Sequence, residues 1–256
     1  MEQRSTFDKV ADLYDRARPG YPDALVDDVV TAARLAPGDA ILEVGCGTGQ
    51  ATTGFARRGF RILALDPGPE LVRVARQHFA GFRDIEFMTT TFEAWPPQPA
   101  AFRLLVAAQS WHWIARDVAF AKAAEVLEPG GTLAVFGNVP VGLEPPLRDD
   151  FVRIYRHHFG VSGPPPEAWY LPSGPLIGMF DESRRFAPVV HRSYPWSWKH
   201  TATSFIDFSR TRSDHQLLPP QQREALLAAL AEAIAAQGGE FELRYEAHLY
   251  LARRKD

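Results

Sequence analysis

The chain has one cysteine, Cys46, among 256 residues. A single thiol cannot form an intrachain disulfide, and no cysteine cluster is present to hold a metal. That scarcity predicts a reducing, cytoplasmic setting. No apolar run approaches the roughly 20 residues a helix needs to cross a bilayer. The opening segment MEQRSTFDKVADLYDRARPGYP carries charges throughout and lacks the apolar core of a signal peptide. A soluble protein without a membrane partner is expected. Basic excess is missing as well: 28 Lys and Arg against 31 Asp and Glu leave a formal net charge of -3. That charge cannot neutralise a phosphate backbone, so nucleic acid is not an expected partner, although a local basic patch would revive it. His157, His158, His191, His200, His215 and His248 lack the paired spacing of a zinc or iron site, so no metal is expected.

What remains is an ordinary globular composition, 46% hydrophobic and 23% charged, which supports a sizeable core. The length suits one α/β domain carrying an insertion. Phe7, Val10, Ala11 and Tyr14 predict a short amphipathic helix ending before Pro19-Gly20, and Tyr21 to Ala33 a second helix entered at Pro22. A strand follows at 40–44, then a glycine turn and a helix from Thr48 to Arg58. The alternation continues with strand 61–65, helix 70–79, strands 85–88 and 102–108, and helix 116–127. Glu128-Pro-Gly-Gly131 then breaks the chain before strand 132–136. Strands alternating with helices imply a parallel, doubly wound sheet covered on both faces.

Past Asn138 the texture changes. Pro140, Pro145, Pro146 and the Pro164–Pro166 run interrupt it, and the stretch reads as insertion and loop. Regular structure returns with a strand near 186–194, a helix over 221–236 and a closing strand over 241–251. The expected organisation is residues 1–138 as entry helices and α/β core, 139–220 as an acceptor-side insertion that includes a sheet strand, and 221–256 as a helix and closing strand. All three belong to a single domain.

The chemistry concentrates in Glu43-Val-Gly45-Cys-Gly47-Thr-Gly49, which joins a strand to a helix where the missing Cβ atoms let backbone approach a ligand. Asp66 ends the next strand, where an acid can accept hydrogen bonds from both hydroxyls of a ribose. The dinucleotide fingerprint G-x-G-x-x-G does not fit, because its third glycine falls on Gln50. Glu43 would sit badly beside a pyrophosphate but suits the cationic end of a ligand. A sulfonium amino-acid nucleoside meets these demands together.

ILEVGCGTG, LALDPG and LEPGGTLAVF, in that order, resemble successive motifs of class I S-adenosylmethionine-dependent methyltransferases. FDKVADLYDRARPGYP and QSWHWI are similar to a small-molecule branch that includes type 11 and trans-aconitate methyltransferase-like proteins. The likeness is strong from Phe7 to Phe136 and weaker beyond, where SFIDFSRTRS and the last strand carry it. It implies a Rossmann-like α/β fold: a seven-stranded, doubly wound sheet, mostly parallel with an antiparallel last strand, plus a substrate-side insertion. The implied methyl donor is S-adenosyl-L-methionine, with S-adenosyl-L-homocysteine as product.

Carried over by position, the resemblance places Gly45, Gly47 and Gly49 along the donor's amino-acid end with Glu43 beneath them. Asp66 takes the ribose and Pro67 flanks the adenine. Relatives often have an Asp near position 91, but this chain has Thr91 and Phe92, which shifts the expected adenine contact to backbone or to Phe92. Gln109 offers backbone to the methionine part, and Tyr14 and Arg18 close over its carboxylate.

Each assignment has a plainer counterpart. Asp66 suits a turn or helix cap in Asp-Pro-Gly, Arg18 suits a surface ion pair, and Trp169, Trp196 and Trp198 suit a packed core as well as a pocket wall. Arg153, Arg156, Arg210 and Arg212 fit an anionic acceptor or solvated helix faces. His112, between Trp111 and Trp113, is the candidate general base, or else a packed, hydrogen-bonded residue.

The leading expectation is methylation of a small molecule, an organic acid being one acceptor class that needs no base, with residues 139–218 shaping the acceptor side. A noncatalytic S-adenosylmethionine-binding regulator and a methyltransferase acting on a macromolecule are the alternatives. Nothing in the sequence sets the oligomeric state.

Overall fold

A computed structural model describes residues 6–159 and 166–255. Pro164 and Pro165 of the proline run lie outside the described residues. The chain enters through a 3-10 turn at Asp8–Val10, α1 (Ala11–Ala17) and α2 (Asp23–Ala33). There follow β1 (Ala40–Val44), α3 (Thr52–Ala56), β2 (Arg61–Asp66), α4 (Pro69–His78), β3 (Ile85–Thr89), β4 (Phe102–Ala108), α5 (Arg116–Val126) and β5 (Leu127–Gly142). The remainder comprises α6 (Leu147–Phe159), α7 (Leu176–Ser183), β6 (Val190–Thr201), α8 (Ala202–Arg210), α9 (Ser213–Gln216), α10 (Pro220–Ala236) and β7 (Glu240–Arg253).

The strands form one seven-stranded sheet in the order β3-β2-β1-β4-β5-β7-β6. The first five run parallel, and β7 pairs antiparallel with both β5 and β6. This is the doubly wound, mostly parallel sheet expected from the sequence. β1 is an interior strand, and the pleat sends its neighbouring side chains into opposite layers: Leu42 and Val44 join Leu65 and Leu105 on one face, and Ile41 joins Ile62, Ala64, Leu104 and Val106 on the other. Burial on both faces explains why these strands read as nearly continuous apolar runs. Strand order reverses between β1 and β4, where a crevice opens at the carboxyl ends of the strands.

The region read as loop departs most from expectation. β5 does not stop at Phe136: its pairing with β4 ends at Ala108↔Phe136, but pairing with β7 continues to Gly142↔Arg244. Pro140 is tolerated because β4 no longer flanks the strand there, so its missing N–H removes no bond on that side. The sixth strand likewise runs beyond the expected 186–194 and takes in Trp196 and Trp198. The extended ends of β5, β6 and β7 make a wall rising past the crevice.

Instead of loop, α6 lies across that wall, with Leu147, Phe151, Ile154 and Tyr155 at helical spacing and Leu147 and Phe151 buried against Phe205, Leu226, Leu230 and Tyr245. The helix expected from Thr48 is also shorter, because the chain turns until α3 begins at Thr52.

Candidate functional site

The turn between β1 and α3 is fastened to the end of β2. The amides of Gly45 and Cys46 donate to the Leu65 carbonyl at 2.7 and 3.1 Å. Asp66 completes the attachment: its Oδ2 accepts from the Gly47 amide at 2.9 Å and its Oδ1 from the Gly68 amide at 2.8 Å. Burial pushes the Asp66 carboxyl up to about 6, against the lowering effect of these two amides. Two of the three glycines are required by packing: Gly45, where a Cβ would lie 2.4 Å from that of Ser110, and Gly49. At Gly49 φ is +101°, and a Cβ there would lie 2.4 Å from the ring of Phe79.

Two cavities open on either side of this turn, one enclosing about 690 Å³ and the other about 610 Å³ of space continuous with solvent. The first is walled by Gly47, Asp66, Pro67, Thr91, Phe92 and Trp113. The second is bounded by Arg18, Glu43, Gln50, Asn138, Glu167 and Tyr245. Tyr14, Gly45, Ala108 and Gln109 border both, so the cavities meet above the carboxyl ends of β1 and β4.

Gln109 adopts φ +56°, an unusual conformation for a residue other than glycine. Its amide donates to the Phe136 carbonyl at 2.8 Å, and its Oε1 accepts from the Asn138 amide at 2.8 Å. These bonds hold the strained residue at the junction.

Glu43 is 1% exposed. Its Oε2 accepts from the Thr52 hydroxyl at 2.7 Å, whereas Oε1 has no hydrogen-bond partner among the described residues. Burial pushes this carboxyl up to about 8, opposed by the Thr52 bond and reinforced by Asp66. A buried carboxyl oxygen left open at a cavity wall fits a ligand bearing a hydrogen-bond donor or a cation, and a cation there would favour the ionised form.

Arg18, at the end of α1, donates through Nε to the Thr211 hydroxyl and through Nη2 to the Thr211 carbonyl, both at 2.8 Å. Its guanidinium lies over the rings of Tyr14 and Phe208, each 5.1 Å away. The entry segment is fixed at its other end by Asp8, whose Oδ1 accepts the Glu70 and Leu71 amides at the start of α4. The two anchors draw the N-terminal segment across the mouths of both cavities.

Eleven donor-side residues were expected from the sequence, and ten border a cavity: Tyr14, Arg18, Glu43, Gly45, Gly47, Asp66, Pro67, Thr91, Phe92 and Gln109. Gly49 lies behind the turn. His112 is not among the lining residues; its Nδ1 sits 3.0 Å from the Tyr170 hydroxyl, and its ring lies against Trp113 at 4.5 Å and Trp169 at 6.0 Å. The tryptophans serve packing: Trp196 stacks on Tyr245 at 4.6 Å, Trp198 meets His200 and Phe208, and Trp169 faces His112.

Arg153 pairs with Asp150, Arg210 with Glu224, and Arg212 with Glu167 and Asp214. Arg156 is exposed on α6. Among the described residues, no group of three or more His, Cys, Asp or Glu could hold a metal ion, and no helix is long and apolar enough to cross a membrane.

Asn138, Glu167 and Tyr245 were missed by sequence reasoning. Each reaches the cavity only because β5 and β7 extend and the segment after α6 folds back, which no local motif announces.

Residues 41–131 match the family model described as a methyltransferase domain. An uncharacterized methyltransferase of Mycobacterium bovis is 28% identical over 238 residues, covering 90% of this chain and 86% of that protein. A ubiquinone biosynthesis O-methyltransferase of Xanthomonas campestris is 34% identical over 109 residues, 41% of this chain and 46% of the relative. Among solved structures, a proposed type II methyltransferase from Anaeromyxobacter dehalogenans superposes with a TM-score of 0.62 at 25% identity, covering 93% of this chain and 97% of the other. With the glycine turn, its acidic neighbours and the sheet order, the methyltransferase-domain match over residues 41–131 and these likenesses support a class I S-adenosylmethionine-dependent methyltransferase.

Proposed function

We propose that the protein methylates a small molecule, with the donor's nucleoside in the cavity beside Asp66 and its amino-acid end in the cavity beside Glu43 and Arg18. The observation that carries this reading is the meeting of the two cavities at Gly45 and Gln109, which gives one bent site with a junction near its middle. S-adenosylmethionine supplies a methyl group on a cationic sulfur, whose departure as a neutral thioether needs no assistance from the protein.

The chain's own work is therefore to bind and orient. Asp66 shapes the Gly47 turn and faces the ribose, with Pro67, Thr91 and Phe92 bounding the base. Arg18 presents a guanidinium to the carboxylate, and Glu43 receives the cationic end through its unpartnered oxygen. Tyr14 bridges the compartments. The far part of the second cavity, between Pro19, Pro140 and Phe208, is left to the acceptor.

A hydroxyl, an amine or an organic acid is the acceptor class consistent with a cavity of this size; the ubiquinone biosynthesis O-methyltransferase named above lends weight to small-molecule chemistry. The open second cavity favours turnover over a binding-only regulator, and the net charge of -3 favours a small acceptor over RNA. A cytoplasmic location is part of this proposal, a single buried free thiol being suited to a reducing compartment.

Calorimetric titration with S-adenosylmethionine and S-adenosylhomocysteine, with NAD as control, tests the donor half. Incubation with labelled donor and a metabolite extract tests the acceptor half. Donor binding with labelled small products is the expected result; donor binding with label only in protein or RNA would overturn the acceptor class.

A further inference from the structure

We infer that the outer half of the second cavity is an acceptor subsite in which the Tyr245 hydroxyl binds the acceptor and Glu167 selects a nucleophile that carries its own hydrogen, an amine or a hydroxyl, over a carboxylate. This rests on the donor placement proposed above.

Several polar groups on the wall already have partners. Asn138 is spent: its Nδ2 donates to the Gly20 carbonyl and its Oδ1 accepts from the Trp196 indole, both at 3.1 Å. Arg18 is committed to Thr211 and to the donor's carboxylate. Beyond Glu43 Oε1, already assigned to the donor's cationic end, two lining atoms remain buried with no hydrogen-bond partner among the described residues, Glu167 Oε2 and the Tyr245 hydroxyl.

Neither group is free to turn aside. Glu167 Oε1 is held by Arg212 Nη1 at 2.9 Å. The other two nitrogens of Arg212 are taken by Asp214, Nη2 at 2.9 Å and Nε at 3.1 Å. Two of the five guanidinium N–H groups are left over, yet Glu167 Oε2 receives no hydrogen bond from them. Tyr245 is 3% exposed, and its ring is stacked at 14° on Trp196, which fixes where the hydroxyl points.

The chemistry of the vacant partner follows. An ionised Glu167 oxygen only accepts, so it is matched by an N–H or O–H on the ligand, and buried polar groups are normally matched. A carboxylate nucleophile supplies no hydrogen and brings like charge against Glu167. The local balance sharpens this: Arg212 stands between two carboxylates, Glu167 and Asp214, so the cluster carries an excess negative charge. Tyr21, Pro140 and Phe208 complete the wall with apolar surface suited to a small aromatic or aliphatic body.

The test uses the full chain and three probes of similar size: phenethylamine, catechol and phenylacetate. Calorimetry first measures S-adenosylhomocysteine affinity for the wild type, Glu167→Gln and Tyr245→Phe. Probe binding to the S-adenosylhomocysteine complex and methyl transfer from labelled donor are then compared. The expected result is binding and methylation of the amine or the catechol but not of phenylacetate. Each substitution should lower kcat/KM for that probe about tenfold or more, while S-adenosylhomocysteine affinity stays within about twofold. Tyr245→Phe keeps the stacked ring, so it tests the hydroxyl even where Glu167→Gln disturbs Arg212. Preference for phenylacetate, binding of none of the three, or unchanged kcat/KM in both variants would overturn the inference. If the wild type fails to bind S-adenosylhomocysteine, the donor placement falls first and takes this subsite with it.

Discussion

Asp66 Oδ2 accepts the Gly47 amide hydrogen at 2.9 Å, so the acid at the end of β2 holds the glycine turn in place as well as facing the cavity beside it. Its second oxygen does the same for Gly68 at the start of α4. The ribose role and the turn role, which compete when the sequence is read alone, are compatible in one side chain, because a carboxylate has about four acceptor positions and the amides use two.

Asp66→Ala is therefore expected to lose on two measurements at once. Two buried amides would be left unmatched, costing about 1–3 kcal/mol of unfolding free energy, and donor affinity should fall about tenfold or more. Urea unfolding and calorimetric titration on the same preparation separate the two. A large loss of affinity with unchanged stability would show that the Gly47 and Gly68 bonds contribute little to the fold.

Glu43 gives a pH signature with a definite sign. Its folded carboxyl is raised by burial to about 8 from an ordinary 4.5. A group raised in this way contributes most stability below its unfolded value and loses that contribution as pH climbs through the folded one. Glu43→Gln keeps an acceptor for the Thr52 hydroxyl and removes the ionisation. The variant should thus gain Tm relative to wild type between pH 5 and 8, with little difference near pH 4. Because Asp66 raises Glu43 further, the transition belongs to the pair and should shift downward in Asp66→Ala. Parallel Tm profiles for wild type and Glu43→Gln would contradict this account.

The sequence disclosed the core and the donor turn because both obey local rules. Ile41, Leu42 and Val44 are apolar because both faces of β1 are covered, and Gly45 to Gly49 sits where a strand must turn into a helix. The acceptor side was illegible for a different reason. Pro140 and Pro145 punctuate the chain as a loop would, yet Pro140 continues β5 because its neighbour strand has ended, a fact of tertiary pairing. The α6 pattern of Leu147, Phe151 and Ile154 was present but stood behind those prolines. Glu167 reaches the cavity through contacts with Arg212, 45 positions away in sequence, which no spacing rule connects.

The glycines of the turn should separate by function. Gly49→Ala places a Cβ against Phe79 at 2.4 Å with φ at +101°, and overpacking of this kind costs about 1–3 kcal/mol. At Gly47 a Cβ would stand 3.5 Å from Tyr14, an ordinary contact, although φ of +58° still adds strain. Gly49→Ala should consequently lower the urea midpoint more, and Gly47→Ala should weaken S-adenosylhomocysteine binding more for the stability it loses. The reverse ranking would move the ligand-facing role from Gly47 to Gly49.

His112 should behave as a packed residue and not as the base. Burial holds its imidazole down to about 4, so the ring is neutral across the physiological range and pairs with the Tyr170 hydroxyl at 3.0 Å. Loss of a true general base lowers kcat by roughly 10²–10⁴-fold. His112→Gln, which keeps a polar partner for Tyr170, should instead retain kcat within about threefold, and the pH–rate profile should show no limb near 6.5 that the substitution removes. Stability supplies a second readout with the opposite sign from Glu43. A histidine depressed from 6.5 to about 4 contributes most above the unfolded value and loses that contribution as pH falls between the two. The wild type should lead His112→Gln by its widest margin at pH 7 and above, and the margin should narrow steadily toward pH 4. A kcat collapse with an unaltered stability margin would place the imidazole at the reacting atoms and require the segment around Trp113 to move on ligand binding.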